Sequence, residues 1–210
     1  MVVAVSVNPY LFTVEKSNGV AILGISASNT GMYPITVRVA IRDTSTGAVA
    51  SASTTISNPN TTQAIFNNLA VTGDIVTVRI ETTTLSSGSG TLSVQNIVLG
   101  PAIDLGSTQY GATAGIVDYS KKDFDEFGQL IITERTFSKR LSAQVLVSND
   151  NLNAVQRALY DIRATPCVWV GSTDSRFDEA LTVYGFYRDF STDIAYPDAS
   201  LCNLEIEGLT

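Results

Sequence analysis

Three groups of side chains in this 210-residue chain have the types that chemistry needs. Two are runs of acids: KKDFDEFGQ at 121–129, with Asp123, Asp125 and Glu126, and STDSRFDEA at 172–180, with Asp174, Asp178 and Glu179. Glycoside hydrolysis uses two carboxylates held across a cleft at a set separation, and a calcium loop places its acids at fixed alternating positions. Neither run shows that arrangement, so both read as solvated turns. The third group is the stretch ATPCVWVGSTDSRFDEALTVYGFYRDFSTDIAYPD at 164–198, which carries Trp169, one of the two cysteines and several Tyr and Phe. Its aromatics serve either a ligand or packing, and the elements around them decide which.

Absent residue types narrow the chemistry further. The chain has no histidine, which removes Ser-His-Asp and Cys-His nucleophile systems, His-containing zinc sites and the usual proton shuttle near neutral pH. Cys167 and Cys202 alone cannot build a zinc site. Each lies in an apolar segment, as buried reduced thiols do, and their spacing leaves a disulfide open. No enzyme, no metal and no cofactor is expected. A net charge of −7 disfavours nucleic acid, whose phosphates need clustered Lys and Arg; Lys121-Lys122 and Lys139-Arg140 are too short for that. With 44% hydrophobic and 16% charged residues the chain is globular, and no apolar run is long enough for membrane insertion. MVVAVSVNPY at 1–10 lacks a basic flank and a cleavage site and reads as a first strand.

The elements follow from periodicity. Over 35–42, Ile35, Val37, Val39 and Ile41 alternate with Thr36, Arg38 and Arg42, and over 74–82 Val76, Val78 and Ile80 alternate with Thr77, Arg79 and Glu81. TSTG at 44–47 reads as a hairpin loop, and a further strand is expected at 91–99 after the turn-rich LSSGSG. Short strands with turn chemistry between them predict a β-sandwich or jelly roll over residues 1–100. A domain junction is expected within 99–120, where Ile103, Leu105, Tyr110, Ile116 and Val117 would be costly to leave in water.

Residues 101–210 read as an α+β domain, an antiparallel sheet or small sandwich with one helix. Strands are expected at 130–137 and 141–148, with DEFG at 125–128 as a hairpin turn. A helix at about 150–164 places Leu152, Val155, Leu159 and Ile162 on one face, with Asn149 or Asp150 as its cap and Thr165-Pro166 as its stop. Three strands follow at 167–170, 181–190 and 201–207, the last with Cys202, Leu204 and Ile206 inward. The fold class is mainly β.

In that frame Trp169, between Val168 and Val170 just after a helix, is a packing aromatic. The strand 181–190 carries apolar side chains on both faces, Leu181, Val183 and Tyr187 on one and Tyr184, Phe186 and Phe190 on the other. Such a strand is central in a domain or covered by a partner subunit.

Several strings in the second half point to a family: DLGSTQYG (104–111), IVDYSKKDFDEFGQ (116–129), ERTFSKR (134–140), VQRALYDIRATPCVWVGS (155–172), VYGFYRDFSTDIAYP (183–197) and LCNLEIEGL (201–209). Over this half the chain resembles tailed-phage and prophage virion proteins of the tail or baseplate. VAILGISASNTG (20–31) and VTVRIETTTLSSGSGTLSVQNIVLG (76–100) look similar to the galactose-binding-like jelly roll of that family. Where the family often has a His-Asn pair, this chain has Ser28-Asn29, and its jelly roll is short.

The resemblance implies a structural protein of the virion tail, in the baseplate, distal tail or tip, made in the host bacterial cytoplasm. Its partners would be copies of itself, in a ring, and other tail proteins. The expected subunit contact is Tyr184, Phe186, Tyr187, Arg188 and Phe190, with Tyr196 from the neighbouring segment 195–201; Arg188 and Asp189 pair at the strand's end, or Arg188 bridges subunits. The alternative is a carbohydrate-binding module that reads host surface glycans through exposed Asn29, Tyr33 and Asn58, with ring stacking and amide hydrogen bonds.

Overall fold

The computed structural model describes residues 5–6, 10–82, 90–172, 174 and 176–209. It divides into two compact units, Met1–Ile103 and Asp104–Thr210. With 55% strand and 11% helix, in antiparallel sheets, the fold is mainly β. Of the expected strand at 1–10 only Val5, Ser6 and Tyr10 are described, and all but Gly90 of the turn at 85–90 lies outside the described residues.

In the first unit the strands are β1 (Val5–Ser6), β2 (Tyr10–Ser17), β3 (Gly19–Leu23), β4 (Ser26–Ala27), β5 (Ile35–Arg42), β6 (Val49–Ile56), β7 (Gln63–Phe66), β8 (Gly73–Thr82), β9 (Leu92–Ser93) and β10 (Asn96–Gly100). One sheet runs β1-β8-β5-β6 with β2 also on β8, and a second runs β10-β3-β7. Strict alternation places Val37, Val39 and Ile41 of β5 beside Val76, Val78 and Ile80 of β8. These meet Val20, Ile22, Ala64 and Phe66 from the other sheet in one buried cluster. Each Val, Ile and Phe among them contributes about 1.5–3 kcal/mol on burial. The arrangement is a β-sandwich.

The β5–β6 turn is held by Asp43. Its carboxylate accepts from the Ser45 hydroxyl (2.7 Å), the Thr46 hydroxyl (2.8 Å), the Ser45 N–H (3.0 Å) and Lys16 Nζ (3.1 Å). The single strand expected over 91–99 is instead two. β9 pairs with β4 and β10 with β3, because the chain changes partner between Ser93 and Asn96.

The second unit contains β11 (Ser107–Thr108), β12 (Thr113–Asp118), β13 (Lys121–Phe124), β14 (Leu130–Thr133), β15 (Phe137–Ser148), α1 (Asn149–Asp161), β16 (Cys167–Val170), α2 (Asp178–Leu181), β17 (Thr182–Asp193) and β18 (Ala199–Gly208). A six-stranded sheet runs β11-β15-β18-β17-β16, with β12 also on β15. α1 packs on β15 and β18. Val155 and Leu159 are buried and Leu152 and Ile162 half-buried, against Leu141, Val145, Val147, Cys202, Leu204 and Ile206.

Several boundaries differ from the sequence reading. The strand expected at 130–137 stops at Thr133, and the next begins at Phe137, where the chain joins the large sheet. Leu181 ends a short helix, so the strand expected at 181–190 runs from Thr182 to Asp193. The helix ends at Asp161, with Ala164 at a φ of +59° before Pro166. Asn149 is no cap: Ser148 precedes the helix, and the Asn149 amide donates to the Tyr196 (3.3 Å) and Pro197 (2.8 Å) carbonyls while its oxygen accepts from the Ser200 hydroxyl (2.6 Å). It ties the helix start to the β17–β18 turn. Leu105 packs in the core, but Ile103, Tyr110 and Ile116 are exposed, contrary to the burial expected of them.

Candidate functional site

The expected contact strand is divided between two faces by a bulge. Tyr187 pairs with Ile206 and Phe190 with Leu204, and the register shifts by one residue between Tyr187 and Asp189. A one-residue shift moves the following side chains to the opposite face. Phe190, expected beside Tyr184 and Phe186, therefore turns inward with Tyr187, and both pack on the core. Tyr187 stands edge-on to Trp169, ring centroids 6.2 Å apart and planes at 77°, and its hydroxyl donates to the Leu159 carbonyl at 3.0 Å. That carbonyl lies in the last turn of α1, where intrahelical donors run out. Trp169 is buried, its Nε1 donating to the Gly185 carbonyl at 3.0 Å.

Of the six expected contact residues, Tyr187 and Phe190 are thus taken up inside the chain. Tyr184 and Phe186 stay half-buried on the face away from α1, Arg188 is exposed at the bulge, and Tyr196 is exposed in the β17–β18 turn. Among the described residues Arg188 forms no ion pair with Asp189, whose Oδ1 accepts from the Phe190 N–H at 2.9 Å.

Cys167 and Cys202 are free thiols. They lie on β16 and β18 with β17 between them, so their strands are about 9.5 Å apart. A disulfide spans less than about 7 Å between Cα atoms. Burial raises the Cys167 thiol above its usual pKa. The acids hold turns. Asp125 Oδ1 accepts from the Phe127 (2.9 Å) and Gln129 (2.7 Å) N–H groups in the β13–β14 turn, where Gly128 takes a φ of +79°. Asp174 pairs with Arg176, which holds its carboxyl below the usual range. Glu179 accepts from Lys139 at 3.1 Å. Among the described residues no three His, Cys, Asp or Glu gather as metal ligands.

The three residues expected for glycan binding sit at one end of the first unit's large sheet, because β5 and β6 pair with Ile35 opposite Ile56. Tyr33 is half-buried against the core, a correction to the exposure expected of it. Asn29 and Asn58 are exposed, and each side-chain oxygen accepts from the N–H two residues on, that of Gly31 at 2.8 Å and that of Asn60 at 3.0 Å.

A surface that periodicity did not single out lies between β12 and β15. Among the described residues β13 and β14 pair only with each other, Phe124 opposite Leu130 and Lys122 opposite Ile132. These four share one face of the hairpin, and Lys121, Asp123, Ile131 and Thr133 share the other, where Lys121 and Asp123 form an ion pair at 2.6 Å. Phe124 is 73% exposed, Phe127 at the turn 88%, Leu130 53% and Ile132 60%. At its base lies an open groove of about 340 Å³ lined by Ile116, Asp118, Ser120, Glu134, Arg135 and Phe137. Ile116 and Phe137 carry the register of the α1 side of the sheet, but the helix does not reach them, and they are 70% and 54% exposed. The signal in the sequence was the run LIIT after a tight turn. It records an apolar strand without saying what covers it.

The chain matches no known family model and no curated protein. The second unit is a packed sheet and helix with an amphipathic hairpin whose apolar side chains are exposed.

Proposed function

We propose that this chain is a structural component of a bacteriophage tail, in the baseplate, distal tail or tail tip, which assembles in the virion with copies of itself and with other tail proteins. The tail assignment rests on the resemblance of residues 103–210 to tail and baseplate proteins. One structural observation carries the assembly reading: the hairpin 121–133 leaves Phe124, Leu130 and Ile132 of one face, and Phe127 at its turn, in water. Two-stranded hairpins are marginal alone, and contiguous apolar patches of this kind mark protein contacts. Mass spectrometry of purified virions, together with the molar mass of the free protein at high concentration, tests this reading. Detection in particles and self-association are expected; absence from particles together with a strictly monomeric protein refutes it.

A second reading, host glycan recognition, draws on Asn29, Tyr33 and Asn58 sharing one end of the sandwich. Glycan-array binding lost in Tyr33→Ala would support it, and a silent array would remove it.

A further inference from the structure

The hairpin leaves an apolar face uncovered, and the groove at its base holds the uncovered Ile116 and Phe137 among polar side chains. Phe124, Phe127, Leu130 and Ile132 on the hairpin and Ile116 and Phe137 in the groove leave roughly 700 Å² of their surface in water. Exchanged reciprocally between two copies, each giving its arm and its groove, this approaches the about 800 Å² that a specific interface of standard size takes from each partner. The hairpin is tied at its root. Tyr119 N–H donates to the Thr136 carbonyl (3.3 Å) and Arg135 N–H to the Ser120 hydroxyl (3.1 Å), while the Tyr119 hydroxyl reaches Ser138 and Glu207 at 3.1 Å each. Charge also matches: Lys122 borders the apolar face of the arm, and Asp118 and Glu134 line the groove, with Arg135 available to the acids Asp125 and Glu126 of the arm's turn.

We infer that the hairpin Lys121–Thr133 is an assembly arm whose Phe124, Leu130 and Ile132 face packs into the Ile116–Phe137 groove of a second copy of this chain. This deepens the assembly reading above and rests on it. The contact extends the helix-side core of the sheet past the end of α1, with side chains of the neighbouring subunit supplying what the helix does not reach. It also places the main self-contact away from β17, whose Tyr187 and Phe190 are already packed within the chain.

The test compares the molar mass of the wild-type chain over a concentration series with that of Ile132→Asp, Phe124→Asp and a form in which a short Gly-Ser turn joins Ser120 to Glu134. These side chains are exposed, so the variants keep their fold, and circular dichroism checks it. The expected result is self-association of the wild type, with dissociation constants at least tenfold weaker in all three forms. In a Cys167→Ser background, Ile132→Cys mixed with Ile116→Cys forms an interchain disulfide on oxidation, whereas Ile132→Cys mixed with Thr54→Cys, on a β6 face of the first unit, does not. A wild type that assembles equally well with the arm altered overturns the arm and leaves the assembly reading standing. A wild type that is monomeric throughout overturns the self-contact and the arm with it, and leaves the tail assignment to the virion measurement above.

Discussion

Tyr187, expected in a subunit contact, is packed within its own chain, and it gives a sharp test of that packing. In the structure it makes two contacts within its own chain, the edge-on packing against Trp169 and the hydrogen bond to the Leu159 carbonyl. Tyr187→Phe removes the second alone, which costs about 1 kcal/mol. For a unit of this size about 4 °C of melting temperature follows each kcal/mol, so a loss of about 4 °C is expected. Tyr187→Ala removes both contacts and leaves a cavity. Because the ring is half-buried, the low end of the cost for truncating a core aromatic applies, about 3 kcal/mol, or a loss of about 12 °C. Thermal melts followed by circular dichroism measure the stability, and molar mass by light scattering measures assembly. The expected outcome is loss of stability with the dissociation constant of Tyr187→Phe unchanged. If Tyr187→Phe melts like the wild type and yet fails to assemble, the residue belongs to an interface and its packing against Trp169 and the end of α1 is wrong.

Further outcomes follow from other contacts. A Cβ on Gly185 would lie 2.0 Å from the Glu207 carbonyl oxygen, so Gly185→Ala should force β17 and β18 apart and cost about 3 kcal/mol in a urea melt; a neutral effect would contradict the close pairing. Asn149→Ala leaves the buried Ser200 hydroxyl without its acceptor and should cost about 1–3 kcal/mol, with faster amide exchange at Tyr196 and Ala199; unchanged exchange there would count against the tie. Hydrogen bonds from the hydroxyls of Ser45 and Thr46, then the Ser45 N–H and Lys16, hold the Asp43 carboxyl far below the usual range. A depressed folded-state pKa stabilises above the unfolded value near 4, and that contribution fades as pH falls toward the folded value. The stability gap between wild type and Asp43→Asn should therefore be full at pH 7 and shrink only below about pH 4. A gap of equal size at pH 7 and pH 2 would refute the reasoning.

Much of the architecture was written in local pattern. The alternation of Ile35 to Ile41 and of Val76 to Ile80 dictated two half-buried strands, because successive side chains of a strand point to opposite faces whatever lies around them. The three- and four-residue steps from Leu152 to Ile162 dictated the one long helix, and Asp125 with Gly128 dictated a tight turn by chemistry confined to a few residues. The facing of Phe190 was not legible in this way. It depends on a single extra residue at the bulge after Tyr187, and that shift is set by pairing with Glu205 and Leu204 on another strand. Nor could the sequence separate Leu204, which is buried, from Leu130, which is not.

The sequence by itself determined which residues are apolar, where strands and helix run and which chemistries lack their side chains, since these depend on residue type and near neighbours. Only the tertiary structure decided which apolar surface is left over, because burial is a property of what a second element brings to a face. α1 stops short of Ile116 and Phe137, and no other described strand pairs with the hairpin at 121–133.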